Sequence, residues 1–280
     1  MKPIILVSSL AFATMAAAQS EPPKGKPSTA PQPPASVEVA RLSFMNGAVE
    51  IQQGGGTWAA AAEDQALSSG DRLRTLKGST ARLEFPWTAV AVSDSTEVSF
   101  PRNRLLTLQL DTGRIDVDPE QGLMRIVTAE VTITGAGRTL VRREGTTTFV
   151  GSYGGGANVE SPNSFVRLGI GKGTIVNAGA AAGEPERLAT PPKVVSPASD
   201  PRYVHPGESV HLVWTGRGPV FHLEVLPIDS DVPVVSIDVA ATTSDLKLPW
   251  LGTFRWRVAG RVGPIETEAS GEGLICVVEK

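Results

Sequence analysis

The amino-acid sequence predicts an all-β protein, because three observations point the same way. Apolar and polar residues alternate with a period of two in many short segments, as they do in half-buried strands. Turn signals such as Ser69-Gly70-Asp71 separate these segments. Stretches with the period of a helix are hard to find. About six to ten short strands without helices between them define the all-β class.

The first half of the chain has strand segments with distinct inward and outward faces. Asp111-Thr112-Gly113 is interpreted as a turn between two of these strands. Trp58 is predicted to anchor the core, while Arg72 and Arg74 are predicted to point outward on either side of Leu73. The predicted inward-facing sets are Leu42 and Phe44; Ala81, Leu83 and Phe85; Leu106, Leu108 and Leu110; and Ile115 and Val117.

Residues 201–280 contain a second set of alternating strands. Trp214 lies on an early strand and Trp256 on a late one, with roughly ten to twenty residues between strands, which suits a small β-sandwich. We expect both tryptophans to lie in its core. Cys276 is the only cysteine and shares its phase with Leu274 and Val278, so a buried position is favoured over a reactive or dimer-forming thiol. Further inward-facing sets are predicted at Val210 and Leu212; Phe221, Leu223 and Val225; Val235, Ile237 and Val239; and Phe254 and Val258.

The first eighteen residues have the pattern of a secretory signal peptide. Lys2 is followed by an apolar run from Ile4, and Ala16-Ala17-Ala18 supplies small residues at the cut. As a helix this run would measure about 23 Å, less than the roughly 30 Å hydrocarbon core of a bilayer. We therefore expect cleavage after Ala18 rather than a membrane anchor, and a periplasmic or secreted protein without a membrane span.

Composition divides the remainder of the chain. Residues 19–36 are rich in proline and predict a linker, residues 37–177 form the first β domain, and 178–200 form a second proline-rich linker. Residues 201–280 form the second domain. Because linkers of this kind make few contacts, the two domains are expected to fold separately.

Within the first domain, the most specific pattern is Gly70-Asp71-Arg72-Leu73-Arg74-Thr75 followed by residues 79–85, Ser-Thr-Ala-Arg-Leu-Glu-Phe. With Gly47-Ala48-Val49, residues 113–115 and residues 171–176, this stretch resembles the FecR domain, the periplasmic part of iron-dicitrate-type sigma-factor regulators. The resemblance implies a stack of short strands with a β-helix character and no catalytic role.

Two departures from the FecR pattern bear on function. A signal peptide and a proline-rich linker stand where such regulators carry a cytoplasmic anti-sigma region and a membrane helix, and residues 128–130 read Thr-Ala-Glu instead of Thr-Pro. Direct control of a sigma factor is therefore not expected. Residues 210–214 and 252–258 resemble strands of fibronectin type III or immunoglobulin-like modules, which implies a β-sandwich.

The sequence contains few residue patterns that would support catalysis. The three histidines, His205, His211 and His222, all lie in the second domain, so a Ser-His or Cys-His nucleophile in the first domain is excluded. His211 and His222 are predicted on outward faces of strands, where they would allow a two-histidine metal site or remain surface residues. No cofactor is expected. Paired carboxylates of a glycosidase remain an open alternative.

Acidic residues cluster from Asp111 to Glu120, with Asp116 and Asp118 between them. Their oxygens would suit Ca²⁺, although the spacing of an EF-hand is absent. The other interpretation is a solvated acidic edge that discourages strand pairing. The sequence leaves both interpretations open.

The remaining candidates for binding are two tryptophans beside prolines, Trp87 and Trp250. An exposed tryptophan stacks on sugar rings or anchors a protein partner, whereas a buried one packs in a core. The formal net charge of −3 and the lack of a basic stripe argue against nucleic acid as a partner. The sequence therefore predicts a non-enzymatic binding, sensing or scaffolding protein of the cell envelope, whose partner is an envelope protein or a cell-wall glycan.

Overall fold

The computed structural model describes residues 38–102, 107–118, 123–230 and 233–279. The predicted signal peptide (1–18) and proline-rich linker (19–36) lie outside these residues, as do Leu106 and Glu120. Every regular element in the described ranges is a strand, which confirms the all-β class. Among them there is accordingly no helix with the length and hydrophobicity that a membrane crossing requires.

The first seventeen strands in the described part of the chain form what we call the N-terminal lobe. They are β1 (Glu38–Asn46), β2 (Val49–Gln52), β3 (Trp58–Ala60), β4 (Gln65–Ser68), β5 (Arg72–Thr75), β6 (Thr80–Phe85), β7 (Thr88–Val92), β8 (Glu97–Ser99), β9 (Thr107–Asp118), β10 (Met124–Val127), β11 (Thr132–Gly135), β12 (Thr139–Glu144), β13 (Thr147–Ser152), β14 (Ala157–Ser161), β15 (Ser164–Leu168), β16 (Lys172–Asn177) and β17 (Glu186–Arg187).

These strands form two sheets that share β9. The first sheet has the order β4-β1-β6-β7-β9-β12-β13-β16-β17, and the second has the order β3-β2-β5-β8-β9-β10-β11-β14-β15. Neighbouring strands pair antiparallel, except that β9 and β10 are parallel. Short strands thus stack on both sides of one long central strand.

Strand β9 corrects the predicted turn at Asp111-Thr112-Gly113, because the chain continues through it as a single strand. Its first half pairs with β8 and β10, and its second half pairs with β7 and β12. Gly113 has a φ of 95°, a conformation that favours glycine, and allows the strand to pass from one sheet to the other. A Cβ at this position would lie 2.3 Å from Oγ1 of Thr96.

The core of the N-terminal lobe lies between the two sheets and contains most of the predicted inward-facing residues. Trp58 is an exception, since it is only half-buried and lies beneath the guanidinium of Arg74, 4.2 Å from the ring centroid. Arg72 and Arg74 are half-exposed and pair with carboxylates, so their predicted outward direction is confirmed. The buried residues that had been predicted inward are Leu42, Ala81, Leu83, Phe85, Leu108, Leu110, Ile115 and Val117.

The remaining nine strands in the described residues form the C-terminal lobe, which has two sheets. The strands are β18 (Lys193–Ser196), β19 (Arg202–Val204), β20 (Ser209–Thr215), β21 (Val220–Pro227), β22 (Val235–Val239), β23 (Thr243–Lys247), β24 (Gly252–Val262), β25 (Ile265–Ala269) and β26 (Gly273–Val277). One sheet has the order β18-β20-β23, and the other has the order β19-β26-β24-β21-β22 with β25 beside β24.

The core of this lobe confirms the predicted role of the two tryptophans. Trp214 and Trp256 are 1% and 0% exposed, and their ring centroids lie 6.1 Å apart. Cys276, in contrast, is half-buried, because Ile275 and Val277 occupy the inward face of β26. The pairing of Ile275 with Phe254 sets this phase, so the prediction for Cys276 was off by one residue.

Hydrogen bonds and ion pairs join the two lobes. The side chain of Thr80 donates to the carbonyl of Pro233 at 2.6 Å, and Asn46 Nδ2 donates to the carbonyl of Val234 at 2.5 Å. Residues 36–280 cluster as one compact unit by their contacts. The sequence predicts few contacts across the break at 177–201, whereas the structure has a buried network between the strands on either side of it.

Candidate functional site

A cluster of buried charged side chains lies where the two lobes meet. We call Arg114, Arg142, His222, Glu224 and Glu266 the interlobe ion cluster. Arg114 donates from Nη1 to Glu224 at 3.0 Å and from Nη2 to Glu266 at 2.9 Å. Arg142 lies 3.5 Å from the second oxygen of Glu266. All five side chains are less than 10% exposed.

Strand geometry brings these groups together. Arg114 follows Gly113 on β9, and its amide donates to the hydroxyl of Thr96 at 3.0 Å, which holds the backbone at the sheet crossing. Arg142 on β12 is the direct cross-strand partner of Arg114. Two guanidinium groups side by side repel each other unless carboxylates lie between them, and Glu266 binds both.

His222 corrects a sequence prediction, because it is buried rather than on an outward face. Its Nδ1 lies 2.9 Å from Oδ1 of Asp238, and its Nε2 lies 3.1 Å from Oγ of Ser236. Asp238 also accepts hydrogen bonds from Arg142 and Arg261. His222 and Glu224 lie two residues apart on β21 and therefore face the same side of the sheet.

The two-histidine metal site that the sequence leaves open does not form. His211 is exposed on β20 and pairs with Asp245 at 2.9 Å, while His222 lies in the other sheet of the lobe. Each histidine binds its own aspartate on a neighbouring strand. No group of three metal-binding side chains occurs in the part of the chain that the structure describes.

The surroundings of the cluster favour the charged forms of Glu224, His222 and the neighbouring Asp238. Burial alone would raise the pKa of Glu224, but the charges of Arg257 and Arg114 and the hydrogen bond to His222 hold this pKa well below its ordinary value. Burial and Arg114 oppose the charged form of His222, yet its hydrogen bonds to Asp238 and Glu224 raise the pKa of this histidine. The pKa of Asp238 is lowered against the effect of burial, first through its hydrogen bond to His222.

Little free volume remains between the paired side chains of the cluster. The cavity beside Arg114 and Tyr153 has a volume of about 10 Å³, which is room for one water molecule at most. Tyr153 donates to the backbone carbonyls of Glu266 and Thr267, so it also joins the two lobes. The paired groups therefore connect the two lobes, and a cleft of about 210 Å³ borders the other side of the cluster at Arg114, Arg142 and His222.

The acidic stretch at Asp111–Glu120 does not form a turn within the described residues. Asp116 is nearly buried and binds Arg138 at 2.7 Å. Asp111 accepts a hydrogen bond from Gln109 at 2.6 Å. These carboxylates lie along one strand and engage different partners rather than pointing at a common centre.

An open groove lies on another part of the same junction. It has a volume of about 440 Å³ and is bordered by the end of β1, the β21–β22 connection and the start of β24. Three exposed apolar side chains form its rim: Ile228, Trp250 and Leu251, which are 53%, 42% and 51% exposed. Phe44 and Phe254 form part of its floor. We call this feature the Trp250 groove.

Both tryptophans singled out by the sequence are at the surface. Trp87 is 52% exposed in the turn between β6 and β7, and Trp250 is 42% exposed just before β24. They belong to different lobes, and Trp87 does not line the groove. The structure therefore favours exposure over core packing for both, and it places only Trp250 in a concave site.

Sequence reasoning missed the interlobe ion cluster, although a signal was present. The run from Val220 to Leu226 is apolar at nearly every position, as in a strand covered on both faces. His222 and Glu224 are the exceptions, and charged groups inside such a run must find partners in the interior. The partner of Glu224 across the junction, Arg114, lies 110 residues away along the chain, where no local pattern indicates it.

Comparisons with known proteins give little to add to this geometry. No family model matches the chain, and no curated protein matches it. Two solved structures of a candidate anti-sigma factor from Parabacteroides distasonis are similar in part, with a TM-score of 0.35 and 19% identity. The match covers 41% of this chain and 58% of that one, so this chain spans little more than half the length of the protein that it matches.

Proposed function

We propose that this chain is an exported, non-enzymatic binding protein of the cell envelope and that the Trp250 groove is its binding surface. One observation carries the proposal: the buried charged groups are paired with one another, while the larger open concavity at the junction has exposed apolar side chains on its rim. Exposed apolar surface of this kind in a concave site is typical of recognition rather than chemistry.

Export, a FecR-like first domain and a fibronectin- or immunoglobulin-like second domain are parts of the same proposal. They rest on the leader pattern of residues 1–18, on the motif from Gly70 to Thr75 and on the strand patterns of residues 210–214 and 252–258. The two β-sandwich lobes, held by the interlobe ion cluster, would present the groove as a rigid surface. Without a described segment that could carry a signal inward, any sensing role would require a partner chain.

The partner that fits the groove best is a protein segment with apolar side chains. Aliphatic residues such as Ile228, Leu251 and Val234 form much of the lining. Its polar groups are few, and Asn46 already donates its amide to a backbone carbonyl within the protein. A glycan would need several free hydrogen-bonding groups beside the aromatic ring, so a cell-wall glycan is the second candidate, carried by the exposure of Trp87 and Trp250.

A displayed library of random peptides, selected on the purified protein, tests this proposal. Selected peptides should contain spaced apolar residues and should bind Trp250→Ala at least about tenfold more weakly, as expected for a central tryptophan. Trp87→Ala is the matched control and should bind them like the wild type. Peptides that bind both variants equally well would contradict the assignment. Co-sedimentation with purified sacculi that depends on either tryptophan would favour the glycan instead.

A further inference from the structure

Strand β15 is a free edge of the second sheet in the N-terminal lobe. It pairs with β14 on one side, and no strand of the described residues pairs with its other side. The two strands are joined by a two-residue turn at Pro162 and Asn163. In a hairpin of this length, the residues that flank the turn share hydrogen bonds, so the backbone groups of Phe165 and Arg167 point toward the open side.

The side chains of β15 suit this edge to pairing with another strand. Phe165 is 65% exposed and Arg167 is also exposed, while Val166 and Leu168 face the core. Several other edge strands are shorter, since β3 and β19 have three residues and β17 has two, while β22 and β23 have five residues like β15. Natural edges are usually protected by charge or by a covering segment, and an exposed aromatic residue on an uncovered edge is a site for strand addition.

The covering segment that follows β16 leaves this edge open. The amide of Ala182 donates to Oγ of Ser164 at 2.8 Å and lies 3.3 Å from Oγ of Ser161. Both serines point to the inner face of the hairpin, and Ala182 packs against the core there. This segment therefore closes the space between the sheets without occupying the hydrogen-bonding side of β15.

We propose that β15 pairs antiparallel with β15 of a second copy of this chain, with the two-fold axis at Val166. In this register, Phe165 of each copy lies opposite Arg167 of the other. The two pairs would each combine an aromatic ring with a guanidinium group, and no like charges would face each other. The outward backbone groups of these residues would complete four hydrogen bonds.

The complementarity of the strand with itself is the reason to name a second copy as the partner. In an antiparallel two-fold arrangement, the favourable pair of Phe165 with Arg167 forms twice, once in each half of the interface. Because β15 has five residues, the buried area is small and we expect a weak dimer whose population depends on concentration.

Sedimentation velocity of the full chain at increasing concentration tests the proposal. The wild type should shift from monomer toward dimer. Phe165→Arg places arginine opposite Arg167 in both pairs and should remain monomeric at every concentration. The double variant Phe165→Arg with Arg167→Glu restores opposite charges and should regain the dimer. Within one chain, position 165 lies opposite Glu160 on β14, so an arginine there is compatible with folding, and thermal melting checks this.

Tyr203→Arg is the matched control, since Tyr203 is a 64% exposed aromatic residue on another edge strand, β19. This variant should dimerise like the wild type. A wild type that stays monomeric, a Phe165→Arg variant that dimerises normally or a Tyr203→Arg variant that loses the dimer would each overturn the proposal. A double variant that remains monomeric would overturn the antiparallel register and the proposal with it.

Discussion

Trp214 and Trp256 occupy the same core but satisfy their indole N–H groups differently. Trp256 Nε1 donates to the carbonyl of Pro197 at 3.0 Å. Trp214 Nε1 is buried and has no hydrogen-bond partner among the described residues. A buried donor without a partner costs free energy, whereas a paired one contributes modestly to stability. Two tryptophans in contact with each other therefore provide a controlled comparison of these effects.

Replacing each tryptophan by phenylalanine should separate packing from hydrogen bonding. Both changes remove a similar volume from the core, but Trp256→Phe also leaves the buried carbonyl of Pro197 unpaired. We expect Trp256→Phe to lower the free energy of unfolding by about 1–3 kcal/mol more than Trp214→Phe. Urea unfolding followed by circular dichroism measures both values. Equal losses would mean that the hydrogen bond to Pro197 makes no net contribution.

At the scale of single elements, alternation predicts which residues of a strand face inward only where the other face of that strand is polar. Leu83 and Phe85 alternate with charged residues, and both are buried as predicted. The stretch Leu274-Ile275-Cys276-Val277-Val278 is apolar throughout, so alternation alone cannot set its phase. The register of β26 with β24 decides it. Local pattern fails where long-range pairing selects the inward face.

Strand β9 shows the same limit in another form. Glycine is typical of turns, and the segment Asp111-Thr112-Gly113 is therefore predicted from the sequence to be a turn. The chain instead continues as one strand, because different partner strands pair with its two halves. A glycine in left-handed conformation within a strand marks a change of sheet, which depends on strands far away in the sequence.

Gly113→Ala tests whether this crossing requires glycine. Any L residue at a φ of 95° is strained, and the new Cβ would also lie 2.5 Å from Cα of Thr96. Gly145→Ala is the matched control, because Gly145 has a φ of 56° and nothing within 4 Å of its Cβ position. The control should cost about 1–2 kcal/mol and Gly113→Ala clearly more. Equal costs in thermal or urea unfolding would show that the contact with Thr96 is not restrictive.

At the scale of the whole molecule, the interlobe ion cluster joins two lobes that the proline-rich break predicts to be separate domains. Composition reveals the break, but it does not reveal that Arg114 on one side binds Glu224 and Glu266 on the other. Removing one partner from a buried pair leaves an uncompensated charge, at a cost of about 3–5 kcal/mol. The lobes are therefore coupled electrostatically, and the coupling must depend on pH.

The direction of that dependence follows from the shifted groups. The lowered pKa values of Glu224 and Asp238 contribute stability above their ordinary values of 4.5 and 3.8, and this stability is lost as pH falls through the lower folded values. The raised pKa of His222 contributes stability that is complete below its ordinary value of 6.5 and is lost as pH rises through the folded value. Stability should therefore be greatest between about pH 4.5 and 6.5.

His222→Gln tests the alkaline side of this optimum, because glutamine retains hydrogen-bonding capacity but does not titrate. In the wild type, the free energy of unfolding in urea should fall as pH rises above about 6.5 and charged His222 loses its proton beside Asp238 and Glu224. The variant should lose this slope, even if it is less stable at every pH. His211→Asn, which removes an exposed histidine that also pairs with an aspartate, should keep the slope of the wild type. A slope that persists in His222→Gln would assign the pH dependence to other groups, and the interlobe junction would then not be its source.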